Sequence, residues 1–395
     1  MDMRLLVQKR DELDAAAAIK FIEGCKDAKL VLVHASLKDD LELVDYITQF
    51  IEKTKIPFAG TRVSGFMTLA GHISEGIAIT VLSGDFTAEI ITEKLNFQEP
   101  AETINKILPK IKTPDLCIVY SANFVQKTRY IDHILRALQQ KTPKTQFYGC
   151  VSAPSPMVFT KDGISDDSIV IIPIANATVR FSIDAGFKLA KGGDEIVITK
   201  SDEFRVYEIN GKNAVDEYCK IQHMQPYFLN MLAKILTKSD AAQVAWGLAK
   251  ASTTLYEGIL KFALKGFAGK IDDETAEPFA VFELDTERGC IITSNYRPEG
   301  TKFVRGEITK ETQLAAYDKI REKLKDSDYL LINSCVYTQI YFDFDFKALH
   351  KKLKQYKQPY LLSFTFGEIG AFVPYTDNKK NLTHGAVIVS LGLKK

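Results

Sequence analysis

Pro359-Tyr-Leu-Leu-Ser-Phe-Thr-Phe-Gly-Glu-Ile-Gly-Ala-Phe372 is the stretch on which the reading of this chain turns. Tyr360 to Phe364 is a short apolar run of the kind that forms a buried strand. It leads into Gly367-Glu368-Ile369-Gly370, where glycine permits positive φ and close approach of the backbone to another group. The Glu368 carboxylate then stands just past a strand end, a common position for a binding group in α/β folds. A Gly-rich turn with a solvated Glu fits the same residues. What favours the first reading is that the pattern occurs twice more upstream.

In the first copy, Leu30 to Ala35 is a continuous apolar strand and Leu43, Ile47, Phe50 and Ile51 mark an amphipathic helix. Ile56 to Ala59 then runs into Gly60-Thr61-Arg62-Val63-Ser64-Gly65, and Gly76 to Leu82 closes the unit. In the second copy, Leu116 to Tyr120 is the strand and Ile131, Ile134, Leu135 and Leu138 mark the helix. Gln146 to Tyr148 enters Gly149-Cys150-Val151-Ser152, and Ser168 to Ile172 closes it. The third copy has a strand from Tyr329 to Ile332, a helix over 346–356, the 360–364 strand and a closing strand from Ala386 to Leu391. Connection lengths predict parallel pairing across each helical crossover and antiparallel pairing of each closing strand.

The predicted fold is therefore α/β, with mixed sheets built from repeated β-α-β-β units and helices on the outer faces, in two domains. The expected divisions are an N-terminal helix in 1–27, read from a helical pattern over 3–24, then domains over 28–212 and 213–395. Between the second and third copies, strands are expected at 179–183, 196–198 and 205–209. Helices follow over 213–220 and 227–267, then a hairpin of 280–284 with 289–293.

Composition narrows the function. The 395 residues are 46% hydrophobic and 26% charged, as in an ordinary soluble protein with room for two or three domains. A net charge of +1 is no electrostatic footprint for nucleic acid. His350-Lys-Lys-Leu-Lys354 reads as the wet side of a helix. No apolar run approaches the ~20 residues that span a bilayer, and the first residues lack the apolar core of a signal peptide. No membrane partner is expected, and the expected compartment is the cytoplasm. Six cysteines are scattered without a C-x-x-C pair, so neither a disulfide framework nor a metal site is expected. No phosphate-binding loop, H-E-x-x-H or G-x-S-x-G is present, and no cofactor is expected.

The candidate site consists of the three strand-end turns. They supply Gly60, Thr61, Arg62 and Ser64, then Gly149, Cys150 and Ser152, then Asn333, Cys335, Gly367 and Glu368. Arg62 is either a fork for a carboxylate or an exposed turn residue. Glu368 receives an ammonium group or accepts from a ligand hydroxyl, or it caps a neighbouring backbone N–H. Asn333 and Asn123 orient a ligand or close Asx-turns. Cys335 and Cys150 are packed thiols or nucleophiles, with His34 or His384 as base. Trp246 fits a core position. Tyr337, Tyr341, Phe342, Phe344 and Phe346 line a pocket or form a protein-binding patch.

The repeat and its turns resemble the FIST family of prokaryotic sensory modules over most of residues 28–392. That family's first turn is Gly-x-Ser/Thr-x-x-Gly. Gly60 and Gly65 match it, with Arg62 in place of the small hydroxyl residue and Thr61 and Ser64 beside it. In the second turn Gly149 and Ser152-Ala153 remain, Cys150 replaces a glycine, and the acidic residue that follows in the family is missing. The C-terminal match is Ser334-Cys335, then Phe364 to Ile369, then Asn381-Leu382-Thr383, although Val336-Tyr337-Thr338 lacks the family's Arg. The resemblance implies a module that binds a small metabolite such as an amino acid and signals through a partner protein. The alternatives are a Cys-dependent hydrolase or transferase using Cys335 with His34 or Glu368, and a scaffold binding protein through its aromatic loop.

Overall fold

A computed structural model describes residues 1–122, 128–152, 155–192, 195–202, 204–223, 225–227, 265–270, 276–279, 281–293, 297–342, 344–365, 367–370, 383–384 and 387–394. The first unit contains β1 (Asp2–Lys9), α1 (Ala15–Glu23), β2 (Ala28–Ser36), α2 (Asp40–Lys53), β3 (Phe58–Arg62), β4 (Phe66–Thr68), β5 (Gly71–Ile73) and β6 (Gly76–Ser83). The helix expected over 3–24 is confined to α1. Asp14 fixes its start by accepting hydrogen bonds from the Ala16 and Ala17 amides. Asp2–Lys9 is instead a strand, antiparallel to β6 with Met3 opposite Leu82 and Val7 opposite Ala78. A free sheet edge and the alternation of Met3, Leu5 and Val7 towards the core override the helical pattern.

The second unit contains β7 (Thr87–Ala88), β8 (Ile91–Lys94), α3 (Pro100–Ile107), β9 (Leu116–Ser121), α4 (Thr128–Lys141), β10 (Gln146–Val151), β11 (Val158–Thr160), β12 (Gly163–Ser165) and β13 (Ser168–Ala175). After β14 (Val179–Asp184) come β15 (Phe187–Leu189), β16 (Glu195–Asp202), β17 (Arg205–Ile209), β18 (Lys212–Asn213), α5 (Ala214–Gln222), β19 (Lys265–Lys270), β20 (Ala276–Pro278), β21 (Val281–Asp285), β22 (Cys290–Thr293) and β23 (Lys302–Ile308). Of the helix expected over 227–267, residues 228–264 lie outside the described residues. Lys265–Lys270 is a strand, because Lys265 to Ala268 pair with β23. The expected hairpin is β21 with β22. Strands on both sides of residue 212 share one sheet, running β20-β19-β23-β16-β17-β22-β21.

The third unit contains α6 (Lys310–Lys323), β24 (Tyr329–Cys335), α7 (Tyr337–Tyr341), α8 (Lys347–Leu353), β25 (Tyr360–Thr365), β26 (Glu368–Gly370), β27 (Thr383–His384) and β28 (Ile388–Leu393). In all three units the first and second strands are parallel and the closing strand lies antiparallel to the first. These are β2 with β3 and β6, β9 with β10 and β13, and β24 with β25 and β28.

The units also exchange hairpins in a ring. Hairpin β4–β5 of the first unit extends the third by pairing β4 with β25. Hairpin β11–β12 of the second unit extends the first by pairing β11 with β3. Hairpin β26–β27 of the third unit extends the second by pairing β26 with β10. Each sheet thus needs main-chain partners from another unit. Leu32, Ile118, Tyr148, Leu331, Leu361 and Val389 join one apolar core between the sheets. The opposite sheet faces bury Val31 and Val33 against α1 and α2, Cys117 and Val119 against α3 and α4, and Leu330 and Ile332 against α6 and α8. No helix of the described residues is long and apolar enough to cross a membrane.

Candidate functional site

Strand alternation decides which strand-end side chains turn inward. Leu30, Leu32, Ile118 and Leu331 belong to the shared core, and the residues between them face the helices. Continuing the period of two sends His34, Tyr120, Asn333 and Cys335 inward. The same parity turns Thr61, Cys150 and Thr365 inward. Ile369 packs on the helix side, so its neighbour Glu368 faces the interior. Register puts these residues at one level, pairing His34 with Thr61, Tyr120 with Cys150, and Cys335 with Thr365. Glu368 lies across from Cys150.

The result is a polar layer inside the molecule, at the seam between the exchanged units. His34, Thr61, Tyr120, Cys150, Asn333, Cys335, Thr365 and Glu368 are all buried. The Tyr120 hydroxyl lies 3.3 Å from His34 Nε2, with the two rings edge to face. Thr365 Oγ1 donates to Glu368 Oε1 at 2.9 Å. Asn333 Nδ2 donates to the Gly149 carbonyl at 2.8 Å, beside the Cys150–Glu368 pair. Three polar atoms here meet no hydrogen-bond partner among the described residues: His34 Nδ1, Asn333 Oδ1 and Glu368 Oε2. Each buried orphan costs about 1–3 kcal/mol, so the three in this layer are candidates for contact with an occupant.

Burial sets the charge states. It raises the Glu368 carboxyl well above its ordinary value of 4.5. The Thr365 hydroxyl and the amides of Val387, Glu368 and Gly367 favour the ionised form, though none meets Oε2 at hydrogen-bonding geometry. Burial also lowers the His34 imidazole to about 4, leaving it neutral. The Cys150 thiol is raised well above 9.0, chiefly by burial and next by the neighbouring Glu368 carboxyl. That thiol is therefore a packed group and no ready nucleophile.

The remaining expected site residues have other duties. Arg62 has the opposite parity from Thr61 and does not join Glu368. Its guanidinium is held by the Asp40 carboxylate, the Ser155 hydroxyl at 2.6 Å, and the Leu37 and Lys38 carbonyls. It is neither a fork in the layer nor exposed; it ties β3 to the turn that opens α2. Gly60 and Gly149 lie within strands. A Cβ at Gly149 would stand 1.8 Å from the Val119 carbonyl oxygen, and one at Gly60 would stand 2.0 Å from the Phe159 ring. Close packing, not a ligand, requires glycine at both. Gly367 is a true turn residue, with φ of 103°.

Ser64 bonds through its backbone to Phe364 and Gln339. The Ser152 hydroxyl accepts from the Met157 amide. Of the aromatic loop, Tyr341, Phe342 and Phe346 are core residues of the third unit, and Phe344 is exposed. Asn123, Ala153, Trp246, Asn381 and the side chains of Tyr337 and His384 lie outside the described residues. Tyr120 and Thr365 escaped the sequence reading of the site. Their signal was a polar tip closing an apolar strand run. Among the described residues no three His, Cys, Asp or Glu side chains gather as they would to hold a metal ion.

Residues 29–212 match a family model described as the FIST N domain. No curated protein matches the chain.

Proposed function

As a member of the FIST family of sensory domains through its N domain at residues 29–212, we propose that this chain binds a small metabolite in the buried polar layer and passes the event to a protein partner in the cytoplasm. The observation that carries the reading is the cluster of unpartnered buried atoms, His34 Nδ1, Asn333 Oδ1 and Glu368 Oε2. They lie where hairpin β26–β27 completes the sheet of another unit. A ligand that engages Glu368 acts directly on that junction. Its binding energy can then bias how the units pack, which is the coupling a sensor needs. Residues 213–395 supply Asn333, Cys335, Thr365 and Glu368, and on this reading they form the C-terminal half of the sensory unit. The enzyme alternative needs a base beside Cys335, and Nε2 of its candidate base, His34, meets the Tyr120 hydroxyl at 3.3 Å.

The test is a thermal-shift screen of a broad metabolite library on the full chain, repeated on Glu368→Gln and Asn333→Ala. The proposal predicts a stabilising compound whose effect both variants reduce. A compound that stabilises all three proteins equally, or a library with no stabilising compound, would overturn it.

A further inference from the structure

Two of the three unpartnered atoms of the layer are oxygens that can accept from the ammonium end of an amino acid, and the third, on the neutral His34, brings no positive charge for the carboxylate end. Glu368 Oε2 and Asn333 Oδ1 are oxygen atoms, fully buried and without partners among the described residues. Their residues are linked through β10. The Asn333 amide bonds to Gly149, and the next residue, Cys150, faces Glu368 across β10 and β26. Among the described residues no Lys or Arg forms an ion pair with Glu368, and the strand-end arginine, Arg62, is spent on Asp40 and two carbonyls towards the helices. A ligand carboxylate buried here would find no cation among the described residues to offset its charge, an unfavourable arrangement in a dry site. An ammonium group gains a counter-ion there once Glu368 gives up its proton.

Resting on the sensory reading above, we propose that the layer takes a small primary amine that carries no carboxylate, its nitrogen donating to Glu368 Oε2 and Asn333 Oδ1. The Glu368 carboxyl, held neutral by burial, becomes the counter-ion. The bound pair is ammonium with carboxylate, and the Glu368 proton leaves to solvent. If the amine arrives as free base, it takes that proton itself. Starting from the ammonium that prevails in bulk solution, the net change is the same loss of about one proton per ligand. Asn333 adds selection by hydrogen-bond count, because its Oδ1 rewards a nitrogen with several N–H groups over a tertiary amine.

The experiment uses matched sets on the full chain. One is alanine, ethylamine and propionate; the other is leucine, isopentylamine and 4-methylpentanoate. Affinities and proton release are measured by calorimetry at neutral pH in two buffers of different ionisation enthalpy. The expected result is binding of an amine, release of about one proton, weaker binding of the matching amino acid and none of the acid. Glu368→Gln should weaken amine binding roughly tenfold to hundredfold, the contribution of one charge-assisted hydrogen bond. If that variant does not fold, the wild-type proton count decides alone. The inference fails if the amino acids bind as tightly as the amines, if binding releases no proton, if the Gln variant binds like wild type, or if no amine binds. Silence of the amines beside a hit elsewhere in the metabolite screen defeats the amine and leaves the sensor. Silence of both defeats the sensory reading itself.

Discussion

Replacing Glu368 by Gln should change how stability depends on pH, without any ligand present. The wild-type carboxyl is fully buried and raised well above 4.5 by that burial. Between 4.5 and its folded value, the native protein holds a proton that the unfolded chain has lost. The unfolded state then binds fewer protons, so wild-type stability falls as pH rises. The slope from this one group is at most about 1.4 kcal/mol per pH unit. From about pH 5 to about pH 7 the accumulated loss is therefore up to about 3 kcal/mol. Gln is isosteric, keeps an oxygen for Thr365 Oγ1 and has no proton to lose. His34 and His72, both lowered to about 4 by burial, titrate alike in the two proteins and cancel in the difference. Urea unfolding of both proteins at several pH values should show the variant gaining on wild type as pH rises. A constant difference from about pH 5 to about pH 8 would refute the claim that Glu368 is held neutral, and with it the proton release predicted for amine binding.

Gly149→Ala should destabilise by more than the about 1–3 kcal/mol of an ordinary overpacked core, because its new methyl meets a carbonyl oxygen and not a side chain that can turn; thermal melts of soluble protein check this. Arg62→Met should cost about 3 kcal/mol in urea unfolding while leaving the affinity of any bound ligand unchanged, since the guanidinium serves the start of α2. His34 makes the opposite pH contribution to Glu368. Its folded value lies below its unfolded one, so its share of stability is lost as pH falls from 6.5 to about 4. His34→Gln should flatten that acid limb by up to about 3 kcal/mol, as read from acid unfolding followed by circular dichroism.

The strand order of the three units could be read in the sequence because each first strand is an apolar run buried on both faces. The helix between the first two strands then dictates parallel pairing. The exchange of hairpins could not be read: β4, β11 and β26 have three residues each and find their partners in other units, so no local pattern marks them. The strand state of Asp2–Lys9 is hidden for a related reason, as it depends on pairing with the sheet edge at β6. At the site, Glu368 was legible as a carboxylate at a strand end in an apolar setting. Arg62 misled because β3 runs on through Gly60 to Arg62. A turn there would have let Thr61 and Arg62 share a face, whereas the continuing strand sends them to opposite ones. Gly60 and Gly149 gave a true glycine signal whose cause, backbone packed against carbonyl and ring, appears only with the neighbouring strands in place. The pairing of His34 with Tyr120 joins residues 86 apart in sequence and leaves no local trace.

The central claim is that the polar layer between the exchanged sheets is the ligand site. The most direct test is a crystal structure of the full chain grown with the most strongly stabilising amine. The account predicts density for its nitrogen within hydrogen-bonding distance of both Glu368 and Asn333, with Arg62 still bound to Asp40. Ligand density elsewhere, for example beside the exposed Phe344, with an unchanged and empty layer, would contradict it.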